Sequence, residues 1–240
     1  MSRHLNLVKS DLEQLEKKVF PRFPFCYLTF KSSQYDTHVF EVKDISQTGM
    51  QLSLKNGEHP LKESEQIHGV LHWGKNKLEI SGDVKWTTDK RLGVEFSNKP
   101  SLRTNVTDFL SVENFASSLK PIHKMDYGVE LPARLKFWLR SDGPVELFVW
   151  KHNDGELSRF ELLIMENYIE WADGQGLKTG RILSKRDIDT PLINEDEFVF
   201  KIDEVIDDEK IELCQTLIKE FDPELITSDT LDFIKLKLGM

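Results

Sequence analysis

Hydrophobic and polar positions alternate with period two through most of the first hundred residues. Six such runs, 25–31, 38–44, 49–54, 66–73, 77–87 and 91–97, are separated by turn-forming residues, the pattern of a small antiparallel barrel or sandwich. Gly74-Lys75-Asn76 reads as the hairpin turn between the fourth run and the fifth. Ahead of the runs, Ser10-Asp11-Leu12-Glu13 has the form of a capping box, and Leu12, Leu15 and Val19 share one helical face. That spacing predicts a helix over 10–18, ended by Pro21 and Pro24, which cannot continue it. Beyond Pro100 the period lengthens. Leu102, Val106, Phe109 and Leu110 form an amphipathic stripe, which predicts a helix closing the first unit, with 117–121 as linker.

The second half starts with strands again. Runs 130–140, 145–150, 159–171 and 178–183 are separated by Ser141-Asp142-Gly143, Asn153-Asp154-Gly155 and Ala172-Asp173-Gly174, good hairpin turns that predict a meander. A further strand over 198–202 precedes Asp207-Asp208-Glu209, carboxylates suited to a helix N-terminus. Ile211, Cys214, Leu217, Ile218 and Phe221 then repeat at helical spacing, while 230–238 fits helix and strand equally. Phe137 and Trp138 are neighbours, and in a strand they point to opposite faces, so one of them is a candidate for an outward partner surface. The expected architecture is β-rich: a six-stranded antiparallel barrel with flanking helices over 1–119, N-terminal arm included, then an acidic α+β domain with an antiparallel meander over 120–240.

Composition narrows the function. With 39% hydrophobic residues, 15 Phe and 5 Trp the chain is not a disordered one. No run approaches the ~20 apolar residues of a membrane span, and the polar first residues lack a signal-peptide core. Cys26 and Cys214 form no CxxC pair, which disfavours a disulfide scaffold or thiolate zinc site and suits a reducing cytoplasm. The net charge of −9 is uneven: residues 1–110 carry 16 basic against 14 acidic side chains, and 111–240 carry 16 against 27. A protein so acidic gains little from a nucleic-acid duplex, whose affinity scales with phosphates neutralised. A single small anion on the first half is compatible with this balance.

The segment with chemistry is Asp44-Ile45-Ser46-Gln47-Thr48-Gly49, between the second and third runs. It offers a carboxylate acceptor, a hydroxyl and a glycine that permits positive φ or close backbone approach. An acid beside a hydroxyl can accept from the N–H groups of a guanine edge; a plain polar turn has the same composition. Upstream lies Lys17-Lys18-Val19-Phe20-Pro21-Arg22. Downstream lie Ser81-Gly82-Asp83-Val84-Lys85-Trp86 and Arg91-Leu92-Gly93-Val94-Glu95-Phe96.

This ordered set resembles the PilZ family of bacterial cyclic di-GMP receptors over about residues 10–115. The family pattern has R-x-x-x-R before strand one, [D/N]-x-S-x-x-G after strand two, a Gly-x-Val-x-Trp strand and a closing Gly-Val-x-Phe strand. The resemblance implies a six-stranded barrel with a C-terminal helix, and a ligand held where the basic stretch wraps toward the D-x-S-x-x-G turn. By position, Arg22 is the second family arginine, Asp44 and Ser46 are the guanine-reading pair, and Gly49 is the turn glycine. Trp86 stands where the family often places an aromatic beside the ligand, though a core tryptophan fits the same spacing.

The first family arginine is Lys18 here, preceded by Lys17. An ammonium keeps the charge but loses the planar bidentate grip, worth ~1–3 kcal/mol by analogy with base readout, so weakened binding is expected. The residue before that arginine influences whether one or two ligands are held, so Lys17 leaves stoichiometry open. The resemblance implies a cytoplasmic, non-enzymatic receptor with no cofactor beyond its ligand cyclic di-GMP, and an acidic C-terminal domain that relays the signal to a protein partner. The link over 20–24 is the expected moving part, and opposite charges allow the acidic half to meet the basic arm. The alternative is a degenerate PilZ module that binds protein and no nucleotide; Lys18 favours it.

Other candidates are duller. His68 and His72 lie four apart in a strand, too far to chelate tightly. The acidic stretch 195–209 lacks a calcium-loop pattern, and Gly174-Gln175-Gly176 is a short turn. No metal site and no enzyme motif is expected.

Overall fold

The computed structural model describes residues 15–21, 28–34, 38–54, 57–126, 131–185 and 195–240. Ser10, Arg22 and Cys26, singled out by the sequence, lie outside these residues. Six strands close into an antiparallel barrel: β2 (Leu28–Ser32), β3 (Val39–Ile45), β4 (Gly49–Ser53), β5 (Gln66–Trp73), β6 (Asn76–Thr87) and β7 (Arg91–Phe96), in the order β2-β3-β4-β7-β6-β5. Closure leaves no free edge, and alternation puts Phe30, Phe40, Leu52, Ile67, Leu71 and Leu92 in a dry interior. The predicted turn after Trp73 is a two-residue hairpin, with Trp73 opposite Asn76 and Gly74 at φ +56°.

Helix α1 (Pro100–Phe109) begins with Pro100, whose fixed φ suits a first turn, and buries Leu102, Val106 and Phe109 as its stripe predicts. Helix α2 (Val112–Ser117) follows, capped by the Ser111 hydroxyl on the Asn114 N–H. Its Phe115 is fully buried, 5.5 Å from the ring of barrel residue Trp73. Gly143 of the second unit sits against both rings, so barrel, helices and second sheet share one continuous core.

The second unit is an eight-stranded antiparallel sheet. Seven strands form a meander: β8 (Lys120–Pro121), β9 (Leu135–Arg140), β10 (Val145–Lys151), β11 (Leu157–Ile164), β12 (Asn167–Ala172), β13 (Gly176–Lys185) and β14 (Glu195–Ile202). The stretch read as a linker, 117–121, therefore contributes an edge strand. The run 159–171 is two strands, folded back at Met165, a non-glycine residue at φ +53°. Glycine and proline punctuation misses this turn because the segment carries neither, and Ile164 with Asn167 closes it by pairing alone.

The eighth strand is β1 (Leu15–Pro21), which pairs antiparallel with β14 over seven positions. Residues 15–18 are therefore extended, where the capping-box reading predicts helix. Helix spacing and strand alternation are hard to tell apart in so short an apolar pattern, and the edge of β14 supplies the backbone partners that decide it. The arm read with the N-terminal unit thus belongs, by its hydrogen bonds, to the C-terminal sheet.

Both faces of that sheet are covered. Phe137, Leu147, Phe160, Leu162 and Ile169 join the main core with helices α3 (Asp208–Lys219) and α4 (Ser228–Lys237). Trp138, Phe148, Tyr168, Phe198 and Phe200 form a second core on the opposite face. Phe137 and Trp138 do point opposite ways, but each meets a core, so neither makes the outward surface considered from sequence. Asp207 caps α3 by accepting from the Glu209 and Lys210 N–H groups, as the acidic stretch suggests. The ambiguous tail is helical up to Lys237, with Leu238 as the C-cap of α4.

Candidate functional site

The D-x-S-x-x-G segment is the β3–β4 hairpin. Ile45 pairs with Met50, and the Ser46 N–H donates to the Gly49 carbonyl at 2.8 Å. Gly49 is required by close approach: a β-carbon there would fall 2.5 Å from the Val94 carbonyl oxygen of neighbouring β7. The Ser46 hydroxyl accepts from the Thr48 N–H at 3.3 Å, and the Asp44 Oδ1 accepts from the Ile45 N–H at 2.9 Å. These local bonds orient both side chains, and a carboxylate accepts more than one hydrogen bond.

Two β-bulges aim the site outward. In β3 the interior positions are Phe40 and Val42, so strict alternation would put Asp44 inside. The register slips between Val42 and Asp44, which turns Asp44 out and Ile45 in. In β6 the interior positions are Leu78, Ile80, Gly82 and Val84, so Trp86 would be next. A second slip between Val84 and Trp86 places Trp86 outside, 40% exposed. Of the two readings of Trp86 open at sequence level, the core tryptophan is excluded.

Asp44, Ser46, Gly49 and Trp86 consequently line one open hollow of about 410 Å³ on the barrel wall, with Thr48, Lys85 and Glu95. Lys85 pairs with Glu95 at 2.5 Å, and that carboxylate holds its ammonium pKa above the ordinary lysine value. Lys85 joins the site as the extra residue of the β6 bulge, whereas Glu95 faces outward by plain alternation and stands opposite Gly49 in the β4–β7 register. A second hollow of about 380 Å³ lies between the barrel and the C-terminal sheet and shares Asp44 and Ser46 with the first. Its guanidinium groups are matched by acids, Arg140 with Glu146 and Arg181 with Glu166, each at 2.6 Å.

The basic residues of the arm are placed differently. Lys17 is exposed on β1. Lys18, the next residue, points to the opposite face, into the second core. Its ammonium lies 2.6 Å from Glu170 and 3.3 Å from Glu161, carboxylates only 3% and 1% exposed, and it donates to the Tyr168 hydroxyl. Burial, then the two carboxylates, push the Tyr168 phenol far above its ordinary pKa, so it stays protonated. Glu161 also accepts from the Trp150 indole at 2.6 Å and faces Arg159 at 3.5 Å. Removing one member of such a buried pair costs roughly 3–5 kcal/mol, because the other charge is left unpaired.

This contact also defines the shape of the sheet. Between β1 and β12 lie β14 and β13, and the register carries Lys18 through Phe198 to Lys185, seven residues along β13 from the partner of Glu170, so in a flat sheet the two would be roughly 14 Å apart across the strands and about 20 Å along them. An ion pair at 2.6 Å requires the sheet to be rolled, with β1 facing β11 and β12 across the aromatic core. Glu16 of β1 meets Lys178 of β13 at 3.0 Å in the same way.

Among the described residues, no three His, Cys, Asp or Glu side chains converge as a metal-ligand set, and no helix is long and apolar enough to cross a membrane. No curated protein matches the chain. Residues 16–110 match the family model described as PilZ domain, and the C-terminal half matches none. The match starts inside β1 and spans the closed barrel, both bulges and α1.

Proposed function

We propose that the protein is a non-catalytic receptor for cyclic di-GMP, with its ligand on the outer wall of the barrel. The observation that supports this most is the convergence of Asp44, Ser46, Gly49 and Trp86 on one hollow, each turned outward by hairpin or bulge. Asp44 and Ser46 take the N–H edge of a guanine, Gly49 lets the backbone pass beneath it, and the exposed indole of Trp86 gives the base a stacking face. Lys17, Lys18 and Arg22 of the arm supply positive charge for the two phosphates, since the cation beside the hollow, Lys85, is paired with Glu95. Lys18 reaches the ligand only when β1 leaves the sheet.

Because β1 and the barrel are consecutive in the chain, movement of the arm is transmitted to the rolled sheet, whose acidic domain contacts a protein partner in the cytoplasm. Titration calorimetry with cyclic di-GMP tests this: the wild type binds, and Asp44→Ala and Arg22→Ala each weaken binding by ten-fold or more, about 1.4 kcal/mol. A silent wild type at high micromolar ligand favours the second reading, a protein-binding PilZ module without nucleotide. The commitment of Lys18 to Glu161 and Glu170 is the observation on that side.

A further inference from the structure

We propose that Glu161 and Glu170 compete with the ligand of the barrel for the Lys18 ammonium, and so set the affinity of the basic arm. The inference rests on the reading that the barrel binds cyclic di-GMP and adds to it a positioning role for two acidic residues of the C-terminal sheet.

With β1 paired to β14, Lys17 and Lys18 project from opposite faces of one strand and cannot both turn to the same ligand. Lys18 is committed to the sheet interior as long as the strand stays. The strand is nevertheless free to leave as a unit. Among the described residues it is an edge strand with β14 as its single neighbour, so its departure breaks no other strand pair there. Seven residue steps separate Pro21 from Leu28, the start of the barrel, which limits a released arm to about 25 Å of β2. The arm therefore has two destinations within reach, a pair of buried carboxylates or a twice-negative ligand beside Asp44.

The two carboxylates are not equivalent. When Lys18 departs, Glu161 keeps the Trp150 indole and the Arg159 guanidinium. Among the described residues, Glu170 has no other cation within ion-pair distance, and its Oε2 is buried without a hydrogen-bond partner. Glu170 is thus the group most penalised by release, and the one that holds the arm hardest. Substitution by Gln removes the charge, keeps the size, and leaves Lys18 intact.

The test combines calorimetry with cyclic di-GMP and hydrogen exchange of the full chain. Glu170→Gln binds about tenfold tighter than wild type, the scale of one hydrogen bond to a charged group. In the wild type, saturating ligand strips exchange protection from the amides of 15–21. Should Glu170→Gln fail to fold, Glu161→Gln and the wild-type exchange experiment decide alone. A wild type that binds while 15–21 keeps its protection, or a variant that binds no tighter, overturns the competition and leaves the receptor reading intact. No binding by wild type or either variant overturns both.

Discussion

The indole of Trp86 lies across the backbone of Gly93: a β-carbon on that glycine would sit 2.1 Å from the indole Nε1. Residue 93 opens the Gly-Val-x-Phe stretch of β7, and the bulge in β6 brings residue 86 directly opposite it. The glycine in that motif is therefore a seat for the exposed ring. Gly93→Ala should displace the indole while leaving the barrel interior untouched. We expect cyclic di-GMP affinity to fall to the level of Trp86→Ala, about ten- to a hundredfold below wild type, the usual worth of one stacked base. Calorimetry on both variants checks this; unaltered affinity in Gly93→Ala would show that the ring position is irrelevant to binding.

The bulge at Lys43 makes a sharper prediction. Deleting Lys43 takes the extra residue out of the bulge, so that strict alternation after Val42 itself sets Asp44 outward and Ile45 inward. No charge is buried, so the deletion should cost no more than about 1–2 kcal/mol and Lys43→Ala under about 1 kcal/mol. Urea denaturation of the two variants checks this; a loss of several kcal/mol in the deletion alone would show that the bulge does more than set the direction of Asp44.

His123 introduces a pH dependence. Burial lowers its pKa below the ordinary value of 6.5, partly offset by a hydrogen bond to the Trp138 carbonyl at 3.1 Å. The unfolded chain then binds more protons than the folded one, so stability rises with pH in the window below 6.5 and is lost as pH falls through it. The melting temperature should drop between pH 7 and pH 5, and by less in His123→Phe. An identical slope in the variant would remove His123 as a source.

Cys214 is wholly enclosed among the buried residues of α3, and burial pushes its thiol pKa well above the usual range. Reaction needs the thiolate, so the group should be inert in the native protein. In a Cys26→Ser background, a disulfide reagent should titrate no thiol before unfolding and one after it. Rapid labelling of the native variant would indicate that α3 opens readily.

Asp207 caps α3 through two backbone N–H groups, at 3.0 and 3.3 Å. Asp207→Ala should lower stability by about 1 kcal/mol, while Asp207→Ser should retain most of it. Denaturant midpoints of the pair measure the cap directly.

What the sequence determined by itself is everything carried by local chemistry. The barrel strands followed from period-two alternation, α1 and α3 from their apolar stripes, and the β3–β4 hairpin from a turn glycine within a polar hexapeptide. Asp44, Ser46, Gly49 and Trp86 could be marked as a set because their motifs occur in a fixed order. The tertiary structure alone decided the rest. Whether Trp86 faced core or solvent depended on a one-residue slip against β7, and alternation carries no sign of such a slip. Whether residues 15–18 coiled or extended depended on β14, some 180 residues later in the chain. The destination of Lys18 depended on the rolling of a sheet whose strands place Glu161 and Glu170 opposite it. A charge far along the chain becomes a partner only through long-range folding, and no local pattern encodes the curvature that brings the two together.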